Sequence, residues 1–228
     1  DPGITALLAY VGVRGELPEL AHHSLFFTRD WSANFEASLG PSRRRGVSPE
    51  DLRVATPASL YLSRPSATDP AVAPPGHENL MLLVPFPADP AIGAAGSEEL
   101  DRLTDGYLAQ IGSWAGIPDL LDRVVLRRSF GPADFVQQFS SWRGSALGME
   151  HTIRQSAMFR PAGASKRVAN LMYVGGGTTP GVGLPMCVIS AELVAKRLLG
   201  DTSARPLAAP LPPGFLGEAR AANGRYLP

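Results

Sequence analysis

The sequence predicts an α+β fold, a mixed sheet with helices on one face, and three observations carry that reading. Apolar runs of strand length recur at residues 4–13, 60–62, 80–86 and 124–130. Between the last two lies a long segment, 97–115, whose apolar residues recur at helical spacing. The third observation is the stretch 170–200, NLMYVGGGTTPGVGLPMCVISAELVAKRLLG, where a short apolar run passes through a glycine-dense turn into a second helix.

Residues 4–13 are apolar with little interruption, the pattern of a buried strand. Arg43, Arg44 and Arg45, followed by Gly46 and Pro49, read as an exposed connection. Leu60, Tyr61 and Leu62 form a strand, and the four prolines in 65–76 make a loop after it. Leu80, Met81, Leu82, Leu83 and Val84 are apolar on both faces of a strand, which places them centrally in a sheet. Ser97 caps a helix whose first turn holds Glu98 and Glu99, where carboxylates face the positive end of the helix dipole. Leu100, Leu103, Tyr107, Leu108, Ile111 and Trp114 mark one face of that helix, and Gly116-Ile117-Pro118 ends it. A short turn or helix at 119–122, a strand at 124–130 and a short helix near 132–139 follow. Residues 203–228, rich in Pro, Ala and Gly without periodicity, read as a tail that is partly disordered or draped over the body.

The glycine turn is the most informative stretch. Residues 171–174 make a short strand, and Gly175, Gly176, Gly177, Gly181 and Gly183 crowd the turn. Pro185 suits the first turn of the next helix, since its missing N–H would lack an intrahelical partner anyway. Met186, Ile189, Leu193 and Val194 keep helical spacing, Lys196 and Arg197 sit in the last turn, and Gly200 stands at the position past the end. Strand, glycine turn and helix N-terminus together bring bare N–H groups against a ligand. Two specific motifs fail: no Gly-Lys-Ser/Thr precedes the helix, and in the register of Gly175 the last glycine of GxGxxG is Pro180. From spacing alone, ligand contact and a plain tight turn stand level.

Composition sets the bounds. The 228 residues can bury a sizeable core and could form one domain or one and a half. Lys+Arg and Asp+Glu both number 21, so no basic footprint suggests nucleic acid. The charges are uneven: residues 89–122 hold seven acids and one arginine, and 123–167 hold eight bases and two acids. Mutual pairing of adjacent elements, or two solvated faces, explains this better than phosphate or membrane contact. The single cysteine, Cys187, excludes an internal disulfide and suits a small buried apolar role. No signal peptide pattern and no run of about 20 apolar residues occurs, which fits a cytoplasmic protein. His22, His23, His77 and His151 form no metal spacing, and His22 and His23 would point to opposite sides of a strand. No metal site is expected.

The segment from Val174 to Pro185, VGGGTTPGVGLP, is similar to the VGxGTxPGxGxP motif that closes bacterial-type phytoene desaturases, flavoproteins that dehydrogenate carotenoid precursors. Other segments agree in the same order. They are Leu20-Ala21-His22-His23 with Phe26-Phe27; Ser59-Leu60-Tyr61 through Arg64-Pro65; Thr68-Asp69-Pro70 and Ala73-Pro74-Pro75-Gly76; the Gly144-Ser145-Ala146 segment ending at Glu150; and Gln155-Ser156-Ala157-Met158-Phe159-Arg160-Pro161. That family opens with a GxGxxG unit that grips FAD, and no such unit occurs in these residues. The resemblance therefore reads the chain as the C-terminal half of such an enzyme. It implies a partial substrate-binding domain at 1–165, the C-terminal part of an FAD-binding domain at 166–202 and the tail at 203–228.

The resemblance also implies roles. Gly175, Gly176, Gly177 and Thr178 would approach the ribityl-pyrophosphate of FAD. The backbone at Gly183, Leu184, Pro185 and Met186 would face the electron-rich edge of the flavin, Pro185 only positioning the loop. It assigns no catalytic side chain. Phe139, Trp142 and Met149 flank Gly144-Ser145-Ala146, where small residues among large apolar ones suit a flat ring or a polyene, or else ordinary packing. The implied partners are a carotenoid or other apolar substrate, the N-terminal FAD-binding half, and a membrane surface contacted peripherally. Apolar surface left open by that half would favour a homodimer. A carotene isomerase, an amine oxidase-like enzyme and a non-catalytic apolar-ligand-binding or assembly module are the rival readings.

Overall fold

The computed structural model describes residues 2–43 and 54–207, the side chains of 40–43 excepted. Of the expected connection, Arg43 is helical rather than irregular, while Arg44, Arg45, Gly46 and Pro49, like most of the tail, lie outside the described residues. The chain divides after Gly148 into two compact units.

Among the described residues the first unit holds a five-stranded sheet and three α-helices. Its strands are β1 (Thr5–Arg14), β2 (His23–Phe26), β3 (Leu60–Ser63), β4 (His77–Phe86) and β5 (Val124–Phe130), in the order β2-β3-β4-β1-β5. Helix α1 (Trp31–Arg43) joins β2 to β3, α2 (Glu98–Ala115) precedes β5, and α3 (Pro132–Phe139) follows it. Strands β1 and β4 pair over their full ten-residue length, from Thr5↔Phe86 to Arg14↔His77. The expected strands at 4–13, 60–62, 80–86 and 124–130 all form. The sheet is not mixed as expected: all four ladders are antiparallel. The apolar runs mark strands but not their directions, and the long connections between sheet neighbours permit either sense.

Alternation places the core. On one face Leu7, Ala9, Val11 and Val13 of β1 and Leu80, Leu82, Val84 and Phe86 of β4 are buried. Leu100, Leu103, Tyr107, Leu108 and Ile111 of α2 complete that cluster. The helix boundaries follow the sequence signals: Ser97 accepts from the Leu100 N–H, and Gly116 closes the helix at φ 78°. On the other face Leu8, Leu83 and Tyr61 are only half-buried and Tyr10 and Leu25 are exposed. Helix α1, unmarked in the sequence reading, starts where Asp30 Oδ1 accepts from the Ala33 N–H at 3.0 Å.

Part of the uneven charge is paired between neighbouring segments. Arg127 of β5 pairs with Asp101 (3.7 Å) and Asp105 of α2, Arg123 with Asp119 (3.8 Å), and Arg143 with Asp89 (3.5 Å). Burial pushes the Tyr107 phenol above its ordinary pKa, and its hydroxyl donates to the Ala55 carbonyl at 2.9 Å.

The second unit holds short 3₁₀ turns, the glycine turn and helix α4 (Leu184–Leu199). The expected strand at 171–174 is reduced to one isolated bridge, Met172 with Ala164, flanked by Tyr173 N–H to Gly163 O (3.0 Å) and Ser165 N–H to Leu171 O (2.9 Å). A four-residue run extends into a ladder only where it has neighbouring strands, and Gly163–Ser165 is too short a partner. The first tail residues are draped on α4: Lys196, buried, donates to the Ser203 (2.5 Å) and Arg205 (2.6 Å) carbonyls. Cys187 is partly exposed rather than buried. Among the described residues no helix is long and apolar enough to cross a membrane.

Candidate functional site

The glycine turn and the start of α4 form a small polar framework around open backbone. Thr178 is buried and its hydroxyl bridges the Gly175 carbonyl (3.0 Å) and the Ser190 hydroxyl (2.8 Å). Ser190, also buried, accepts from the Gly175 N–H at 3.1 Å. The turn is thus tied to the second turn of α4 through two hydroxyls, and Thr179 ties it to residues 160–161 through its N–H to the Pro161 carbonyl (3.0 Å). Thr178 is therefore a structural tie of the turn, a role the sequence reading did not give it.

What the turn leaves open is backbone. A Cβ built at Gly175, Gly177 or Gly183 would meet no atom within 4 Å, and Gly175 and Gly183 hold φ of 109° and 117°, where other side chains are strained. Among the described residues the N–H groups of Gly176, Gly177, Gly183, Leu184 and Met186 donate to no protein acceptor. Gly183 at the N-cap offers no capping side chain, and the first turn of α4 holds no acid. A sixteen-residue helix therefore presents the positive end of its dipole with its donors free. Pro185 occupies the first turn as expected and contributes only shape.

These features fit the pyrophosphate and flavin of FAD: glycines that let a large ligand approach, free donors for anionic oxygens, and no carboxylate to repel them. Gly175, Gly176, Gly177, Gly183, Leu184 and Met186 would hold the group, with Thr178 holding the turn.

Arg160 lies beneath the turn. It is 4% exposed and donates to the Gly176 carbonyl (2.9 Å), the Met149 carbonyl (3.3 Å) and His151 Nε2 (3.2 Å). The sequence reading included Arg160 only as part of a matching segment.

The other expected site residues are placed as follows. Phe139 and Trp142 belong to the first unit and are 67% and 55% exposed, while Met149 belongs to the second. Phe139 is the end of an aromatic set in which Phe130 and Phe135 meet edge-on, ring centres 4.9 Å apart. Gly144 serves packing, because a Cβ there would stand 2.4 Å from the Pro132 carbonyl oxygen. Ser145 is buried and donates to the Gly148 carbonyl at 2.7 Å. His22 and His23 are not on opposite sides. His22 precedes β2, so strand alternation does not apply, and the two rings stand 4.3 Å apart. His23 contacts the Tyr61 hydroxyl at 2.6 Å and His22 the Thr68 hydroxyl at 2.7 Å.

No protein-family model matches the chain. Among curated proteins it is 39% identical to a carotenoid 3,4-desaturase of Haloarcula japonica over 86% of the chain, and 34% identical to a zeta-carotene-forming phytoene desaturase of Myxococcus xanthus over 84%. It is 32% identical to a lycopene-forming phytoene desaturase of a Paracoccus species over 87%. The chain spans only 37%, 35% and 37% of those three relatives. Over this shared stretch the chain belongs to the phytoene and carotenoid desaturase family.

Proposed function

We propose that this chain is the C-terminal part of an FAD-dependent oxidoreductase that desaturates a carotenoid precursor such as phytoene. The observation that carries the reading is the glycine turn with its free N–H donors at the start of α4, in a chain whose relatives are named as carotenoid desaturases. When bound, the flavin supplies the two-electron oxidant. The turn binds its pyrophosphate through Gly176 and Gly177 and orients its electron-rich edge through Gly183, Leu184 and Met186. The N–H groups there stabilise negative charge as it develops, which is where preorganised donors contribute most. The substrate domain extends through residues 1–165, and within it Phe139 and Trp142 contribute apolar contact to the polyene.

The chain alone is inactive on this reading and requires the N-terminal FAD-binding half. The exposed apolar residues of α4, Leu184, Val188 and Leu193, support a surface made for that half. The enzyme works in the cytoplasm and draws its substrate from a membrane surface that it touches peripherally.

The test is turnover. The chain is combined with the N-terminal half of a related desaturase and FAD, and offered phytoene or a primary amine. Desaturated product from phytoene alone is expected. Amine oxidation without phytoene turnover would move the chain to the amine oxidase-like reading.

A further inference from the structure

Among the described residues Arg160 is the one enclosed guanidinium of the second unit, and it forms no ion pair. It is 4% exposed, and among the described residues no carboxylate pairs with it. Its hydrogen-bond acceptors are neutral: two carbonyls and an imidazole nitrogen. An enclosed cation without a counter-charge is unfavourable unless something else supplies negative potential. The glycine turn wraps it. The Gly176 carbonyl accepts from one Nη, and a Cβ at Gly181, where φ is 143°, would stand 3.5 Å from its Nε. The 176–177 peptide is trans, so the free Gly177 N–H points away from the Gly176 carbonyl that Arg160 holds. Because arginine only donates, His151 Nε2 must accept, which fixes the ring with its proton on Nδ1.

We infer that Arg160 is a positioning residue that shapes the glycine turn and supplies, through it, the positive potential that holds the anionic groups of the bound flavin cofactor. The inference rests on the proposed flavin site and adds a specific role to it. The charge has two consequences. It strengthens binding of the pyrophosphate, which is anionic in both redox states. It also favours the reduced flavin, whose N1 edge carries negative charge, over the neutral oxidised ring, and so raises the reduction potential. The hydrogen bond to Gly176 keeps the turn in the shape that presents the donors.

The experiment compares wild type, R160Q and R160K in the complete flavin-loaded protein. It reads the FAD dissociation constant by fluorescence and the flavin midpoint potential by dye equilibration. R160Q is expected to weaken FAD about tenfold, the loss of one charge-assisted interaction. It is expected to lower the potential by about 30 mV, which corresponds to a tenfold loss of preference for the reduced form. R160K keeps the charge and is expected to stay near the wild-type potential while losing part of the affinity. A purely structural Arg160 would leave the potential unmoved in both variants, and that result overturns the inference. So does R160K matching R160Q in potential. If R160Q does not fold, R160M takes its place as the charge-removing variant, with the same expected fall in potential and the same overturning result if the potential does not move. A wild-type complex that binds no FAD would instead sink the flavin site itself and this inference with it.

Discussion

In residues 2–148 the enclosed side chains are mostly apolar, and the cluster of Leu7, Val11, Leu62, Leu82, Phe86, Leu108 and Ile111 closes the sheet against α2. In residues 149–207 the enclosed side chains are Glu150, Arg160, Thr178, Ser190 and Lys196, and among the described residues no large apolar side chain there is buried. Apolar residues of that unit face outward instead, with Ile153, Met158 and Leu184 each more than 80% exposed. The first unit is built on burial and can be stable by itself; the second is held by hydrogen bonds around glycines. A unit of the second kind has little hydrophobic driving force of its own, and the apolar surface it exposes is of the kind that packs against further protein.

Substitutions can break this contrast. Leu82 lies between Leu62 and Ala9 in the sheet and is fully buried, so L82A should destabilise the first unit by about 2–5 kcal/mol in a melting experiment. L184A, on a side chain 86% exposed, should leave the melting of the chain alone unchanged, and then matter once the N-terminal half is present. S190A removes the acceptor of the Gly175 N–H and the partner of Thr178, at a cost of about 1–3 kcal/mol. Amide exchange should show that loss within residues 174–190 and leave the sheet protected, which separates the two units directly.

Y107F sharpens the account of the first unit. It removes the hydroxyl that donates to Ala55 and should cost about 1 kcal/mol near neutral pH. Burial raises the folded-state pKa of this phenol above the unfolded value of about 10. The folded chain then keeps its proton where the unfolded chain loses it. The stability contributed by the protonated phenol is full below about pH 10 and falls as pH rises above it. Y107F should flatten that alkaline fall in melting temperature, and an unchanged slope would refute the burial argument. The smallest effect is expected at the exposed Arg102–Glu99 pair on α2, where R102Q should leave melting within error.

The sequence revealed the parts that follow local rules. Ser97 and Gly116 bounded α2, and Pro185 and Gly200 bounded α4, because caps and φ preferences act over a few residues. Strand sense was not legible, since the runs mark which residues form strands but not the direction of a long connection. Helix α1 passed unseen because Gly40 and Pro41 dilute its pattern, although Asp30 was a usable cap signal. The run at 171–174 looked like a strand and is one bridge, because pairing depends on neighbours that a local pattern does not name. The glycine turn was legible as open backbone. Its ties through Thr178 and Ser190, and the enclosed Arg160, depend on contacts across the unit and could not be read from spacing.

The most direct test of the flavin reading is an FAD titration of the chain together with the N-terminal half of a related desaturase, comparing wild type with G183V. Position 183 has φ of 117° and open space around it, so valine strains the backbone where the cofactor would sit without disturbing either unit's interior. Saturable binding to wild type, lost or weakened at least tenfold in G183V, is the predicted result. Absence of binding with both halves present, or equal binding by G183V, would contradict the assignment of the glycine turn to the cofactor.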